Sequence, residues 1–350
     1  MLSKTLREAI QSSVKLDTLS SAEITEWFNT NSNDVEMHFA LQLFEILDKS
    51  KDKLLSDNLS DRAGFNKRLI NTWEKPLNRL DSLIHMCTEI LDEINKEYRL
   101  ASGLKSAQLN ISTRLHARSI QISCEIANLL KGGFADGAFA RWRTLHETTT
   151  ILLFIANGNE DLAIRFTDFQ SILRVKAATR YNEASMALGF KAISPDDLTR
   201  YKAEKKQTLD KYEAGFGNNL GWASIALKKI PNSKTMTSFS EIERFVGLDF
   251  LRAHYGFANQ YIHAGVDSIG FKLATSESNK DLLLCGPSNE GLIEPIQCTS
   301  LSLIQATQAI ISVSPSDERM LFSKILCLWH EKLKEEVVIA SDALSKKHGG

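Results

Sequence analysis

Apolar residues recur at intervals of three and four positions along most of the chain, as at Phe39, Leu43 and Leu47. This spacing puts them on one face of an α-helix, whereas a half-buried strand would alternate with a period of two. Only 18 Gly and 6 Pro residues interrupt the pattern over 350 positions, so long helices are expected. The sequence therefore predicts an all-α protein, built as a multi-helix bundle.

The pattern changes along the chain, and two regions are expected from it. Residues 1–100 form an N-terminal helical region that ends in a long amphipathic helix over about 60–99, which Pro76 could kink. Residues 101–350 form a second helical domain that carries the candidate site. Its predicted helices span about 105–130, 135–156, 160–188, a segment starting at Ser194-Pro195, 240–246, 249–264, 300–313 and 316–345.

Two stretches break the helical pattern in the second region. Residues 214–222 (AGFGNNLGW) are rich in Gly and Asn and are expected to form a loop. Residues 270–297 place turn residues between short apolar runs, which is typical of a small irregular or β-hairpin insertion.

The charge balance favours local rather than global electrostatic recognition. The chain has 42 Lys and Arg against 43 Asp and Glu, so binding of nucleic acid would need a local basic patch. The longest apolar run, Ile151–Ala156, is far shorter than the roughly 18 to 20 residues that span a bilayer, so no membrane association is expected.

The N-terminus and the cysteines indicate a cytoplasmic protein. The first residues, MLSKTLREAIQSSVKL, carry charges every few positions and lack the apolar core of a secretory signal. The five cysteines are scattered and free of Cys-x-x-Cys spacing, which fits reduced thiols rather than disulfides or a zinc site. We expect them to act as small core residues.

The predicted helix over 135–156 carries a polar stripe. Successive residues rotate by about 100° in a helix, so Arg143 and Glu147 share a face, with His146 at its edge. Apolar neighbours such as Trp142 leave little of this helix for solvent, so the stripe should face a cleft or other buried polar groups. The alternative is an ion pair between Arg143 and Glu147 within the helix.

A second polar row falls on the predicted helix over 249–264. Its members share one helical face: Arg252, Tyr255, Asn259 and His263. The same helix is expected to bury its apolar residues, which are Phe250, Leu251 and Phe257. The row then faces either a ligand or a neighbouring helix, where a buried polar network would fix the packing.

Arginines concentrate in the middle third of the chain. Arg114 and Arg118 share a helical face, while Arg141 and Arg252 adjoin the two polar rows. These four side chains are candidates for binding RNA or another anionic ligand. The alternative is a solvated surface, because acidic residues are interspersed among them.

Four runs within about residues 105–265 are distinctive: LLKGGFADGAFARWRTLHE, ILLFIANGNEDLAIRF, LGWA and YGFANQYIHAG. Their signatures are Arg-x-x-x-Glu at Arg143 and Glu147, Gly-Trp-Ala at 221–223, and Tyr-x-x-x-Asn-x-x-x-His from Tyr255 to His263. Together they resemble a bacterial all-helical family that is catalogued only as a domain of unknown function. The resemblance implies a helical fold and a site at these residues, without an activity.

More remotely, the helical architecture and the spacing of Asn259 and His263 resemble the HEPN superfamily. Ribonucleases of that superfamily use an Arg-x-x-x-x-His motif, often with a polar residue after the Arg. This sequence departs from that motif, because Ala258 precedes Asn259. Arg141 and His146 have the literal spacing, but five helical residues separate them by about 140°.

Two functions follow as alternatives. In the first, a metal-independent ribonuclease of bacterial defence or a toxin system uses six catalytic residues: Arg143, His146, Glu147, Tyr255, Asn259 and His263. There His263 acts as general acid or base, and Arg143 and Arg252 stabilise the phosphate charge. In the second, these residues form a packing network in a non-catalytic interaction module, which assembles with a partner or as a homo-oligomer.

No metal or cofactor is expected. A zinc-protease helix would need a second His four residues after His146, where this chain has Thr150. The chain has neither a Gly-x-x-x-x-Gly-Lys-Ser/Thr loop nor a Rossmann glycine pattern after a strand, so a nucleotide cofactor is not expected either.

Overall fold

The computed structural model describes residues 32–100, 106–228, 237–263, 265, 266, 270, 272–276 and 284–347. Within this part of the chain every regular element is a helix and none is a strand, which confirms the predicted all-α bundle. Two compact units divide between Lys67 and Arg68. The domain boundary predicted near residue 100 stays a prediction.

The α-helices between residues 107 and 185 follow one another with short connections, whereas longer stretches lie between residues 211 and 239 and between residues 260 and 293. The α-helices are α1 (Ser32–Leu100), α2 (Ala107–Lys131), α3 (Ala135–Ala156), α4 (Glu160–Asp168), α5 (Gln170–Ser185), α6 (Pro195–Lys211), α7 (Phe239–Phe245), α8 (Arg252–Gln260), α9 (Ile293–Val313) and α10 (Asp317–Lys347). Two short 3₁₀ helices lie at Gly221–Ala223 and Asp249–Leu251. α1 continues through Pro76 as one helix.

α2 and α3 form a tight antiparallel hairpin, with limits close to the predicted ones. The Ser106 hydroxyl caps α2 by accepting a hydrogen bond from the Leu109 N–H, which satisfies a backbone donor that has no partner within the helix. At the other end the chain turns at Gly132 and Gly133, and Gly133 has φ +76°. That left-handed backbone favours glycine, which has no Cβ.

Two contacts fix the register of this hairpin. Arg141 pairs with Glu125 near the turn. At the opposite end the Gln108 side chain donates to the carbonyl of Ala156 at 3.2 Å. Residues between these points face one another in reverse order along the two helices.

Four predicted helices have different limits in the structure. The helix predicted over about 60–99 belongs to α1, which already begins at Ser32. The helix predicted over 160–188 is split into α4 and α5 at Phe169, whose buried ring packs in the core where the chain bends. α8 ends at Gln260 rather than 264, because the chain tightens there into a 3₁₀-type turn with an Ile262 N–H to Asn259 carbonyl bond. α9 begins at Ile293, before the predicted position 300.

The predicted insertion near 270–297 is confirmed as irregular where it is described. Residues 272–276 and 284–292 have neither helix nor strand, and 293–297 already belong to α9. A β-hairpin would involve residues 277–283, which lie outside the described residues.

The cysteines only partly follow the expectation of core positions. Cys87 and Cys298 are buried, whereas Cys124, Cys285 and Cys327 are exposed. The prediction is wrong for these three because their thiols lie on outward-facing positions, where residue type alone does not show burial.

α9 is the central helix of the unit Arg68–Gly350, where it packs against α2, α3 and α10. The Trp142 indole N–H donates to the Cys298 carbonyl at 3.0 Å, which ties α3 to α9. Of the described helices, α9 alone is long and apolar enough to cross a membrane by length and composition. However, 67% of that window is buried inside the protein, as expected of a core helix.

Candidate functional site

A pocket of about 900 Å³ opens between the α2–α3 hairpin and the α4–α5 segment. α2 contributes Ile111, Arg114, Leu115 and Arg118, and α3 contributes Thr144, Glu147, Thr148 and Ile151. Each set has the spacing i, i+3, i+4, i+7, so each is a single helical face. In the register of the hairpin Arg118 lies level with Glu147, and Arg114 lies level with Ile151.

Arg114 and Arg118 are the basic residues of this pocket. Both side chains are exposed. The Arg114 Nε donates to the Asn110 side-chain oxygen at 3.1 Å, a neutral partner on the same helix. Across the part of the chain that the structure describes, neither guanidinium forms an ion pair with a carboxylate. Their charge is therefore available to a ligand.

Glu147 also lines the pocket, but two neighbours already bind its carboxylate. Arg143 donates to Glu147 Oε1 at 3.1 Å, which is the ion pair considered as the alternative from the sequence. The Tyr255 hydroxyl donates to the same oxygen at 2.5 Å. The Arg143 guanidinium lies over the Tyr255 ring at 4.8 Å, a favourable cation–π arrangement. Burial and the Glu147 carboxylate raise the pKa of Tyr255, so its hydroxyl keeps its proton.

His146, one residue earlier on α3, lies in a sealed cluster instead. Its Nε2 lies 2.8 Å from Glu243 Oε1, and both side chains are almost fully buried. Arg252 approaches the other oxygen of Glu243 at 3.0 Å. Burial lowers the pKa of His146 while the Glu243 carboxylate opposes the shift, so the ring is neutral near pH 7 and donates from Nε2.

Aromatic rings close this cluster off. The His146 ring lies 5.3 Å from the Trp142 ring and 5.7 Å from the Tyr255 ring, measured between centroids. Phe239 at the start of α7 closes a further side at 6.2 Å. Tyr255 therefore touches both groups, with its hydroxyl on Glu147 and its ring on His146.

Sequence reasoning missed Glu243. It lies in α7 in the run SEIERF, which was predicted only as a helix over 240–246. A usable signal was the capping box of Ser238 and Glu241, which starts α7 and leaves Ile242 and Glu243 on its buried side. Only the tertiary contact with His146 reveals that Glu243 is paired.

The Gly-Trp-Ala signature forms part of the opposite wall. A Cβ on Gly221 would lie 2.2 Å from the Phe216 carbonyl oxygen, so only glycine fits there. Trp222 is buried, and its carbonyl accepts a hydrogen bond from Arg165 Nε at 3.2 Å. Arg165 also pairs with Glu213, which fixes this loop onto α4.

Asp168, the second carboxylate in the pocket lining, is neutralised in the same way as Glu147. Lys211 and the Tyr212 hydroxyl both bind Asp168 Oδ2 at 2.7 Å. The contact with Asp168 raises the pKa of Lys211, which keeps the pair charged. Each acidic group of the pocket thus has its own cation and its own tyrosine.

Two residues of the predicted catalytic set lie apart from this arrangement. His263 lies beyond the end of α8 and is exposed, in a separate pocket of about 360 Å³ lined in part by Asp136 and Lys272. Asn259 is half-buried, and no described contact joins either side chain to Arg143 or Glu147. The predicted register of Tyr255, Asn259 and His263 requires a longer helix than α8.

Other predicted roles also change. Arg141 is held by Glu125 outside the pocket, and Arg252 pairs with Glu243. Leu251 is buried as expected, but Phe250 is 61% exposed and Phe257 is 53% exposed. The expectation of burial is wrong for these two because the 3₁₀ helix that carries Phe250 buries only Leu251, and α8 buries only the face that carries Tyr255 and Ala258. No group of three or more His, Cys, Asp or Glu side chains suited to a metal ion occurs among the described residues.

One comparison with known proteins finds a similarity over the part of the chain that carries these groups. A model of a family of unknown function (DUF5677) matches residues 109–281, which run from α2 past α8. No curated protein and no solved structure matches the chain. The match contains every residue of the pocket and of the His146 cluster except Ala107, a pocket residue at the start of α2. It supports the predicted similarity to an uncharacterised family. The chain is thus similar, over the segment that carries its candidate site, to a family without an assigned activity.

Proposed function

We propose that the protein binds an anionic organic ligand in the pocket between the α2–α3 hairpin and the α4–α5 segment. The observation that carries the proposal is an asymmetry of pairing. Glu147 and Asp168 are each bound by a cation and a tyrosine, while Arg114 and Arg118 have no ion-pair partner in the described chain. The uncompensated charge of the pocket is positive, which favours an anion.

The size and lining of the pocket also favour a small molecule. Its volume of about 900 Å³ lies within the usual range for ligand sites, about 300 to 1,000 Å³. Apolar atoms form most of its wall, while ten of its twenty lining residues carry polar or charged side chains that can orient a ligand.

The test is a fluorescence titration with 1-anilinonaphthalene-8-sulfonate, which joins a sulfonate to an apolar body. The native protein should bind the dye saturably. Arg114→Ala/Arg118→Ala should weaken binding by about tenfold or more, since a hydrogen bond to a charged group contributes about 1.5 to 3 kcal/mol. Arg180→Ala removes an exposed arginine of α5 outside the pocket lining and should bind as the native protein does. Equal affinity of all three proteins would contradict the proposal.

RNA cleavage is a second candidate, and the position of Glu147 supports it. Glu147 lies level with Arg118 in the pocket, so a phosphate held by the arginines would lie near a carboxylate able to accept a proton. In this version Glu147 takes the role that the sequence suggested for His263. Cleavage of an end-labelled single-stranded RNA in the presence of a chelator, abolished by Glu147→Gln, would support it. An intact RNA would leave the pocket as a binding site, in keeping with the non-catalytic alternative.

A further inference from the structure

We infer that the ligand of this pocket is an amphiphilic anion: a single aliphatic chain that ends in one carboxylate or phosphate group. The inference rests on the proposed function and names the class of ligand. Its two sources would be a free acyl anion or one chain of an anionic lipid. The observation behind the inference is that the accessible apolar surface of the pocket is aliphatic.

The accessible apolar wall is aliphatic. Ile111, Leu115 and Ile151 are partly buried on the hairpin side. On the opposite side Ile164 is 36% exposed and Leu173 is 52% exposed. Branched aliphatic side chains on both sides can cover a hydrocarbon chain, and each buried CH₂ group then favours binding.

Two of the three aromatic residues of the pocket are buried and offer no free ring face, and the third, Phe166, is partly buried. Trp222 is 2% exposed and Phe169 is 6% exposed. The Phe166 ring meets the Trp222 ring edge-to-face at 4.8 Å. Single-stranded RNA and nucleotides are usually bound by stacking their bases on exposed aromatic faces. The lining therefore favours an aliphatic ligand over a nucleobase.

The charges limit the ligand to one anionic group near α2. Arg114 and Arg118 follow each other by one helical turn, with Ile111 one turn before Arg114 and Leu115 beside it. A carboxylate or phosphate between the two guanidinium groups leaves its chain to run along Ile111 towards Ile151. Glu147, level with Arg118, is already bound by Arg143 and Tyr255, so the two arginines of α2 are the groups left to hold the anionic group.

Isothermal titration with decanoate, below its micelle concentration, tests the inference. The comparison ligands separate the two parts of the molecule: acetate has the charge alone, 1-decanol has the chain alone, and AMP joins an anion to a nucleobase. Decanoate should bind one molecule per chain, at least about tenfold more tightly than the other three, because burial of the chain and pairing of the charge both contribute.

Two variants with matched controls locate the binding. Leu173→Asp changes an exposed aliphatic wall residue and should weaken decanoate by about tenfold, whereas Leu188→Asp, at a leucine that is 60% exposed and lies outside the pocket, should not. Arg114→Ala/Arg118→Ala should reduce decanoate to the affinity of 1-decanol. Co-sedimentation with phosphatidylglycerol vesicles, competed by decanoate, would identify the lipid as the source, and its absence would identify the free acyl anion.

The outcomes separate this inference from the proposed function. Tighter binding of AMP than of decanoate, still dependent on Arg114 and Arg118, would overturn the amphiphile and leave the anion site intact. Binding of decanoate that none of the variants changes would overturn both.

Discussion

His146 and Glu147 are consecutive residues of α3, yet they lie in opposite surroundings. His146 meets Glu243 in a cluster where both side chains are almost fully buried and aromatic rings close the sides. Glu147 has a side chain that is 39% exposed and lines a pocket of about 900 Å³. Tyr255 contacts both, and so forms the wall between a sealed polar cluster and an open one.

The comparison distinguishes charged residues that stabilise the fold from charged residues that can bind a ligand. In the sealed cluster the His146 ring and the Glu243 carboxylate are both buried, and removing either one leaves the other without its hydrogen-bond partner. In the pocket the acidic groups are paired, whereas the two exposed arginines are not. We therefore expect substitutions in the cluster to change stability, and substitutions of the arginines to change binding.

The largest effect is expected at Glu243. Glu243→Ala leaves the N–H of the buried, neutral His146 ring without its acceptor, which should lower the free energy of unfolding by about 1 to 3 kcal/mol, and by more for the cavity left behind. Glu125→Ala is the matched control, because its pair with Arg141 is partly exposed and should contribute less than about 1 kcal/mol. Urea denaturation measures both. Similar losses in the two variants would contradict the claim that the buried cluster contributes more to stability than a partly exposed ion pair.

Acid should destabilise the protein through its buried histidines. Burial lowers the pKa of His146, and it lowers that of His116 from 6.5 to about 3. Below pH 6.5 the unfolded chain binds protons that the folded protein does not, so stability falls as the pH falls, by up to about 1.4 kcal/mol per pH unit for each proton. For His116 the loss continues down to about pH 3.

His116→Gln isolates the contribution of His116 to this loss. Glutamine can still bond to Thr307, which His116 contacts at 2.8 Å, but it does not titrate. Denaturation midpoints measured from pH 7.5 to pH 5 should therefore change less in the variant. Parallel curves for the variant and the native protein would show that His116 has the same pKa in the folded and the unfolded protein.

A smaller loss is expected from a methyl group in the wall of the pocket. Gly221→Ala places a Cβ 2.2 Å from the Phe216 carbonyl oxygen, so the backbone must move, at a cost of about 1 to 3 kcal/mol. Gly256→Ala is the control, since its Cβ meets nothing within 4 Å inside α8. There alanine should stabilise the protein by about 0.5 to 1 kcal/mol. Thermal unfolding of the two variants should shift in opposite directions.

The smallest effect on stability is expected for the pocket arginines. Arg114→Ala/Arg118→Ala removes exposed side chains without ion-pair partners in the described chain, so the free energy of unfolding should change by less than about 0.5 kcal/mol for each residue. Urea denaturation alongside the native protein measures it. A loss as large as that of Glu243→Ala would mean that these arginines support the fold.

Sequence periodicity was sufficient for most of the helices, since α2 and α3 lie at or near the predicted limits. Glycines marked the turn between them, where Gly133 has a left-handed backbone. The errors occur where tertiary contacts override local preference. Periodicity continues through Phe169, but the burial of that ring accompanies a bend between two helices.

The site was only partly predictable for a related reason. Arg143 and Glu147 are one helical turn apart, so their pairing follows from sequence spacing. The partnership of His146 with Glu243 joins positions 97 residues apart, and no spacing rule connects them. His263 was placed with Tyr255 by assuming an unbroken helix, which ends at Gln260. The pocket required the packing of α4 and α5 against the hairpin.

The most direct test of the central claim is a crystal structure of the protein grown with 1-anilinonaphthalene-8-sulfonate. The proposed function requires the sulfonate within hydrogen-bond distance, about 3 Å, of the Arg114 or Arg118 guanidinium, with the rings against Ile111 and Ile151. A dye molecule bound elsewhere on the chain, with the two arginines still directed to solvent, would contradict the claim that this pocket is an anion-binding site.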